Sequence, residues 1–234
     1  MIVFYTNIIK GDFASLIGDE ANHCARVLRK RAGDHINFID GKGFFYESKL
    51  ISVNKNICEL EIIRKQEQYQ PDYKIHIAIS PLKSLPRFEW FIEKAVETGI
   101  DRVIPIICER TEKSSIRMNR LQNIVISASK QTLKAKFTVI DDPMNFNEVL
   151  DNYKTDQAFI PHLNEKTEFL GKMIRPSGSY LVFIGPEGDF TEDEVSIAIS
   201  KGIIPASLGN NRLRTETAGI AAAQIVATIN EISR

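Results

Sequence analysis

The sequence predicts an α/β protein in two parts: a small β-rich domain, then a larger domain in which helices cover a parallel sheet. Three observations carry this. Residues 36–63 hold β-branched and aromatic runs separated by tight turns. The stretch RKQEQYQPDYK, residues 64–74, is polar and aperiodic and reads as a linker. From residue 73 onward apolar strand-like runs alternate with helical ones, the signature of a parallel sheet buried on both faces. The domains are therefore assigned as 1–68 and 69–234.

In the first domain INFID (36–40) and FFYESKLISV (44–53) are strands joined by Gly41-Lys42-Gly43, a hairpin signal. ICELEII (57–63) alternates apolar and polar residues as a half-buried strand does, and NHCARVLRK (22–30) is a short helical candidate. Several short strands with tight turns point to a small barrel. In the second domain YKIHIAIS (73–80) is a strand. PRFEWFIEKAVETG (86–99) places Phe88, Phe91, Ile92, Ala95 and Val96 on one helical face and stops at Gly99. Strands VIPIIC (103–108), TVID (138–141), QAFIPHL (157–163), YLVFIG (180–185) and IPASLG (204–209) alternate with helices at 120–133, 145–153 and 217–232. A short helix is expected between residues 163 and 180, and Thr191-x-x-Glu194 is a capping box that opens one more, closed by Gly202.

Composition narrows the function. A chain of 234 residues with 43% hydrophobic and 26% charged content is an ordinary globular protein. Lys+Arg 30 against Asp+Glu 30 gives no global charge, so a polyanion partner has to be met by local clustering. Cys24, Cys58 and Cys108 are scattered and never C-x-x-C, which argues against a disulfide framework or a zinc site and for a reducing, cytoplasmic compartment. The opening MIVFYTNIIKGDF meets Asn7 and Lys10 too early for a secretory core, and no apolar run approaches a membrane span. No His/Cys/Asp cluster has metal-ligand spacing.

Two glycine turns follow strands: IGPEGDFT (184–191) and SLGNNRLRTETAG (207–219). Neither is a phosphate loop or a dinucleotide fingerprint. Ligands of parallel α/β sheets sit beyond the carboxyl ends of the strands, so both turns are expected to border one site. The plainer reading, mere connection, loses ground because Arg212, Arg214, Thr215, Glu216 and Thr217 crowd into six positions of the second turn.

The pair IGPEGDFTEDE and SLGNNRLRTETAGIAAAQ resembles the signature of the knotted SPOUT methyltransferases, specifically the RsmE family. NHCARVLRKRAGD (22–34) resembles that family's N-terminal RNA-binding element, and KSLPRFEWFIEKAVETGIDRVIPIICER (83–110) its first helix–strand segment. The resemblance implies a PUA-like barrel followed by a SPOUT domain whose C-terminal chain forms a trefoil knot, and a homodimer. It implies methylation of uridine N3 in the decoding region of 16S rRNA, within the 30S subunit, with S-adenosylmethionine as methyl donor. Ile184, Gly185, Pro186, Glu187, Gly188, Leu208, Gly209 and Leu213 would line the cofactor pocket, largely through main chain. Thr215, Thr217 and Ala218 would close it at the start of the last helix, with His162 as lining from a neighbouring strand end.

Methyl transfer from a sulfonium is governed by positioning on the donor side. The acceptor is harder, because uridine N3 is protonated at neutral pH, so a uridinate-like species needs stabilisation by a base or a cation. Arg214 is the candidate cation, Arg110 a second, and Glu216 a residue that orients an arginine or accepts the proton through water. From Arg110 to Lys136 the chain carries seven Lys/Arg and one acid, Glu112; a second run spans Arg26, Arg29, Lys30 and Arg31. Both can be solvated faces, and together they give a surface that can follow a phosphate backbone. Arg26, Arg29, Lys30, Arg31, Lys113, Arg117, Arg120, Gln131 and Lys134 are the RNA-binding candidates. Lys130 and Lys134 depart from the family, which commonly has Glu and Arg there, and lysine lacks the bidentate fork. Competing expectations are another SPOUT acceptor, such as a ribose 2′-hydroxyl, and RNA binding without turnover.

Overall fold

The computed structural model describes residues 1–162 and 167–233. It divides into two compact units: Met1–Gln70 with Ile126–Phe137, and Pro71–Val125 with Thr138–Arg234. The return of Ile126–Phe137 to the first unit has no mark in composition.

The first unit is a six-stranded sheet of order β1-β4-β5-β6-β3-β2: β1 (Val3–Tyr5), β2 (Ile9–Lys10), β3 (Phe13–Ile17), β4 (His35–Ile39), β5 (Phe44–Val53) and β6 (Ile57–Glu67). The β4–β5 hairpin closes as its sequence predicts. Asp40 Oδ1 accepts from the Lys42 and Phe44 amides at 2.8 and 3.1 Å, and Gly41 and Gly43 supply the positive φ angles of 75° and 112° that the turn requires. Phe4, Leu16, Phe38, Leu50 and Leu60 form the core, with the Phe38 and Tyr46 rings stacked at 4.5 Å.

Two expectations shift here. Strand β6 runs four residues into the expected linker, with Glu67 opposite Phe44 and Lys65 opposite Tyr46. Its last five residues are solvent-exposed, so nothing in the pattern betrayed a strand. The helix expected over 22–30 lies earlier, as α1 (Gly18–Asn22) running into a π-helical turn over His23–Val27. The wide turn continues to Lys30, whose amide donates to the Cys24 carbonyl at 3.1 Å, with Arg29 in the left-handed region at φ 51°. Gln68 then ties in the returning segment: its Nε2 donates to the Leu133 carbonyl and its Oε1 accepts from the Ala135 amide, both at 2.7 Å.

The second unit is a wholly parallel seven-stranded sheet. Its strands are β7 (Tyr73–Ile79), β8 (Arg102–Ile107), β9 (Val139–Ile140), β10 (Met144–Asn145), β11 (Gln157–Pro161), β12 (Gly178–Ile184) and β13 (Ile204–Ala206), in the order β10-β8-β7-β12-β11-β13 with β9 also on β8. Residues Tyr180–Ile184 are all buried, as a central parallel strand demands. Between the strands lie α2 (Leu85–Thr98), α3 (Met118–Thr132), α4 (Phe146–Asn152), α5 (Leu170–Met173), α6 (Glu192–Ser200) and α7 (Thr215–Ile232). The predicted face of α2 is the buried one, and Gly99 ends the helix at φ 84°. Leu163, the last residue of one expected strand, lies outside the described residues. No helix of the described residues is long and apolar enough to cross a membrane.

Topology places the site. All seven residues of β12 pair with β7, Gly178 opposite Tyr73 through Ile184 opposite Ile79, while β11 pairs in parallel with both β12 and β13. The carboxyl ends of β11, β12 and β13 therefore sit on one edge of the sheet. Helix α7 follows β13 and packs on α2, β7 and β12.

Candidate functional site

A cleft of about 990 Å³ opens beyond those strand ends. One wall is the turn after β12. Asp189, at φ 62°, donates its amide to the Pro186 carbonyl at 2.9 Å. A Cβ on Gly185 would stand 3.1 Å from the Phe190 ring and 3.2 Å from its amide nitrogen, so even a methyl group there would require the turn or the ring to give by a few tenths of an ångström. The turn is braced from outside the cleft. Arg110 Nη1 donates to the Gly188 carbonyl at 2.8 Å, and the Lys83 amide donates to Glu187 Oε1 at 3.2 Å. The capping box forms as expected: Glu194 donates its amide to Thr191 Oγ1 and its carboxylate accepts from the Thr191 amide. Its second oxygen accepts from the Glu109 amide at 2.9 Å, fixing the loop after β8.

The second wall is the turn after β13. Gly209 adopts φ 117°, and its amide donates to Ser207 Oγ at 3.1 Å. The chain runs through Asn210, Asn211 and Arg212 to Arg214, which is the N-cap of α7 without a side-chain cap bond. The floor comes from α2. Arg87 donates Nε to Glu216 Oε1 at 2.7 Å and Nη2 to Oε2 at 2.6 Å. Burial alone would raise the Glu216 carboxyl, but the bonds from Arg87 and the charges of Arg87 and Arg214 outweigh it and hold the group below the usual carboxylate range.

The structure brings most of the expected residues together. His162, Ile184, Gly185, Pro186, Glu187, Leu208, Gly209, Leu213, Arg214, Thr215 and Ala218 all line the cleft. Gly188, Arg110, Thr217 and Glu216 do not. Gly188 and Arg110 face each other behind the turn, Thr217 is exposed on α7, and Glu216 lies buried behind Arg87. Both oxygens of Glu216 are engaged by the Arg87 guanidinium.

Sequence reasoning missed Arg87, Pro161, Asp189, Asn210 and Asn211 as lining residues. Arg87 had a signal: it sits in the first turn of α2, a turn without an acidic residue, where a cation is unfavourable beside the helix dipole. Such an arginine needs a partner elsewhere.

The basic candidates separate by their partners. Arg26, Arg29 and Arg31 are exposed and have no ion-pair partner among the described residues, whereas Lys30 is half-buried. Arg31 donates its amide to Asp34 Oδ2 at 2.9 Å, which fixes the turn that presents them. Arg120 is paired with Glu89, its Nη2 to Oε2 at 2.7 Å, and Lys130 is paired with Glu20. Arg117 and Gln131 are exposed; Lys113 and Lys134 are half-buried.

The family model of an RNA methyltransferase domain matches residues 69–227, and that of an RNA methyltransferase PUA domain matches residues 16–63. The crystal structure of a probable rRNA-methyltransferase from Porphyromonas gingivalis is similar at a TM-score of 0.93 and 37% identity, covering 100% of each chain. That of a ribosomal RNA small subunit methyltransferase E from Neisseria gonorrhoeae, bound to S-adenosyl methionine, is similar at 0.87 and 30% identity over 98% of each chain. The protein of that name from Bacillus subtilis is 27% identical over 237 residues, 94% of this chain and 91% of the relative.

Proposed function

We propose the function from one premise: this chain belongs to the RsmE family of RNA methyltransferases, with a SPOUT domain behind an N-terminal PUA domain. Its activity is the methylation of ribosomal RNA. The finer reading is that it methylates N3 of a decoding-region uridine of 16S rRNA in the 30S subunit, using S-adenosylmethionine. One observation carries the reading: a single cleft joins main-chain turns that suit a flat adenine edge to an arginine, Arg214, whose side chain is exposed and makes no cap bond.

The cleft fits the cofactor. Ile184, Leu208, Leu213 and Ala218 offer apolar surface between the two glycine turns. When bound, the cofactor supplies a methyl group on a sulfonium. In that chemistry N3, its proton lost to water, would take the methyl carbon while the electron pair of the S–C bond would stay on sulfur. Arg214 stabilises the negative charge that then spreads over O2 and O4. The return of α7 over β7 and β12 supports the threaded C-terminal segment expected of the family. Its half-buried Ile220, Ala221 and Ile225 support pairing of two subunits.

Labelled S-adenosylmethionine with 30S subunits from cells lacking the modification, followed by nucleoside mapping, tests the reading. Label on N3 of one uridine supports it; label on a ribose oxygen replaces it. Arg214→Ala is expected to lower turnover at saturating cofactor by about 10²-fold while cofactor affinity stays within about threefold; a fall in affinity alone would make Arg214 a binding residue. The triple variant Arg26→Ala/Arg29→Ala/Arg31→Ala is expected to weaken RNA binding and flatten its dependence on log salt by about two to three counterions. An unchanged slope would remove these arginines from the RNA surface.

A further inference from the structure

We propose that Arg87 is a second, pre-positioned cation for the acceptor base, donating from Nη1 to a carbonyl oxygen beside the reacting nitrogen; this rests on the uridine-N3 reading above. Three observations carry it. Arg87 lines the cleft although it comes from α2, away from both glycine turns. Its Nε and Nη2 are both engaged by one carboxylate, at 2.7 and 2.6 Å, which fixes the guanidinium plane. Nη1 has no partner among the described residues, and the side chain is still 33% exposed against 8% for Glu216.

The arrangement differs from that of Arg214, an exposed side chain at a helix N-cap. A cation already held in place does not have to reorganise as charge develops, and it contributes most where a low-dielectric wall stands behind it. The anion of a uracil ring spreads its charge over two carbonyl oxygens that flank N3. Two arginines, one fixed and one free, match two oxygens. Glu216 is a positioning residue in this scheme: it touches Arg87 and not the base. The bond changes are those of the methyl transfer already given, and Arg87 gains and loses no proton.

The test is the pH dependence of single-turnover methylation of 30S subunits by the wild type, Arg87→Ala, Arg87→Lys and the double variant Arg87→Ala/Glu216→Gln, which strands no buried charge. If Arg87 stabilises the N3 anion, loss of the guanidinium costs about 10²-fold in rate at pH 7. The defect closes as pH rises, because the acidic limb moves up by about two pH units, tenfold per unit. Arg87→Lys should stay impaired, since lysine cannot make the two-point contact with Glu216.

A second readout needs no turnover. Without cofactor, a decoding-region RNA hairpin carrying 5-fluorouridine, whose N3 proton is more acidic, should bind the wild type more tightly than the uridine hairpin, and the variants should lose that preference. Calorimetric affinity for S-adenosylmethionine should stay within about threefold, as for a residue outside donor binding. Parallel losses of cofactor affinity and rate, or a defect constant across pH, overturn the proposal while the N3 reading stands. Wild-type label away from a uracil nitrogen removes both.

Discussion

Gly219→Val is expected to destabilise the protein by about 3 kcal/mol and to lower its melting temperature by roughly 6–12 °C. A Cβ at this position would stand 2.7 Å from Cε2 of Phe91 and 3.2 Å from Cδ1 of Ile79. Both neighbours are fully buried, on α2 and β7, so neither can yield without moving the core. Valine gains back only about 0.4 kcal/mol of helix propensity over glycine. The run of small residues in α7 thus has a packing role: Gly219 lets the helix approach α2 more closely than a methyl group permits. Thr217→Val, two residues earlier and exposed, is the control and should change stability by less than about 0.5 kcal/mol. Equal melting of the two variants would show that the backbone gives way at Gly219 and that close packing is not what the glycine serves.

Arg87→Ala should cost about 3–5 kcal/mol of stability near neutral pH, because it leaves the Glu216 carboxylate buried without its counter-ion. The sign of its pH dependence distinguishes this cause from lost packing. In the wild type Glu216 is held below the usual carboxylate range, so the pair's contribution is present above that range and is lost as pH falls through the folded value. In the variant, burial is opposed only by the bond from the Glu216 amide and the charge of Arg214, so the same carboxyl lies higher than in the wild type. The folded variant then takes up a proton more readily than the folded wild type and loses less stability as pH falls. The gap between the two proteins, measured by urea unfolding at pH 8, 6 and 4, should therefore shrink toward acid. Arg87→Ala/Glu216→Gln should recover most of the loss and remove that pH dependence. A gap that stays constant from pH 8 to 4 would rule out the stranded charge.

The elements read most directly from sequence are those whose local rules agree with their tertiary role. Helix α2 has one apolar face and a glycine stop, and it buries that face. Thr191 and Glu194 form the capping box their spacing predicts, and Glu194 then also fixes the loop after β8, a use no local rule carries. The lining of the cleft was legible because its two turns are continuous in sequence. Arg87 was not, since its partner is 129 residues away and only the fold brings α2 and α7 together. The end of strand β6 is not legible in sequence because it is exposed and polar on both faces, where alternation has nothing to report. Arg110 shows the opposite case. It is a cation in a promising motif, yet its guanidinium is engaged by the Gly188 carbonyl and supports the turn rather than facing the ligand space.

The first unit is completed by residues far downstream of it. Ala135, buried, sits with Val3 and Ile39, and Leu133 and Phe137 pack against them; Gln68 clasps the same segment through two main-chain bonds. During synthesis this unit cannot finish folding when its own seventy residues have emerged from the ribosome. It waits for more than sixty further residues, including strands β7 and β8 and helix α2, to be made first. A fragment cut at the linker would therefore carry an open apolar edge at Val3 and Ile39, and limited proteolysis there should release no stable N-terminal piece.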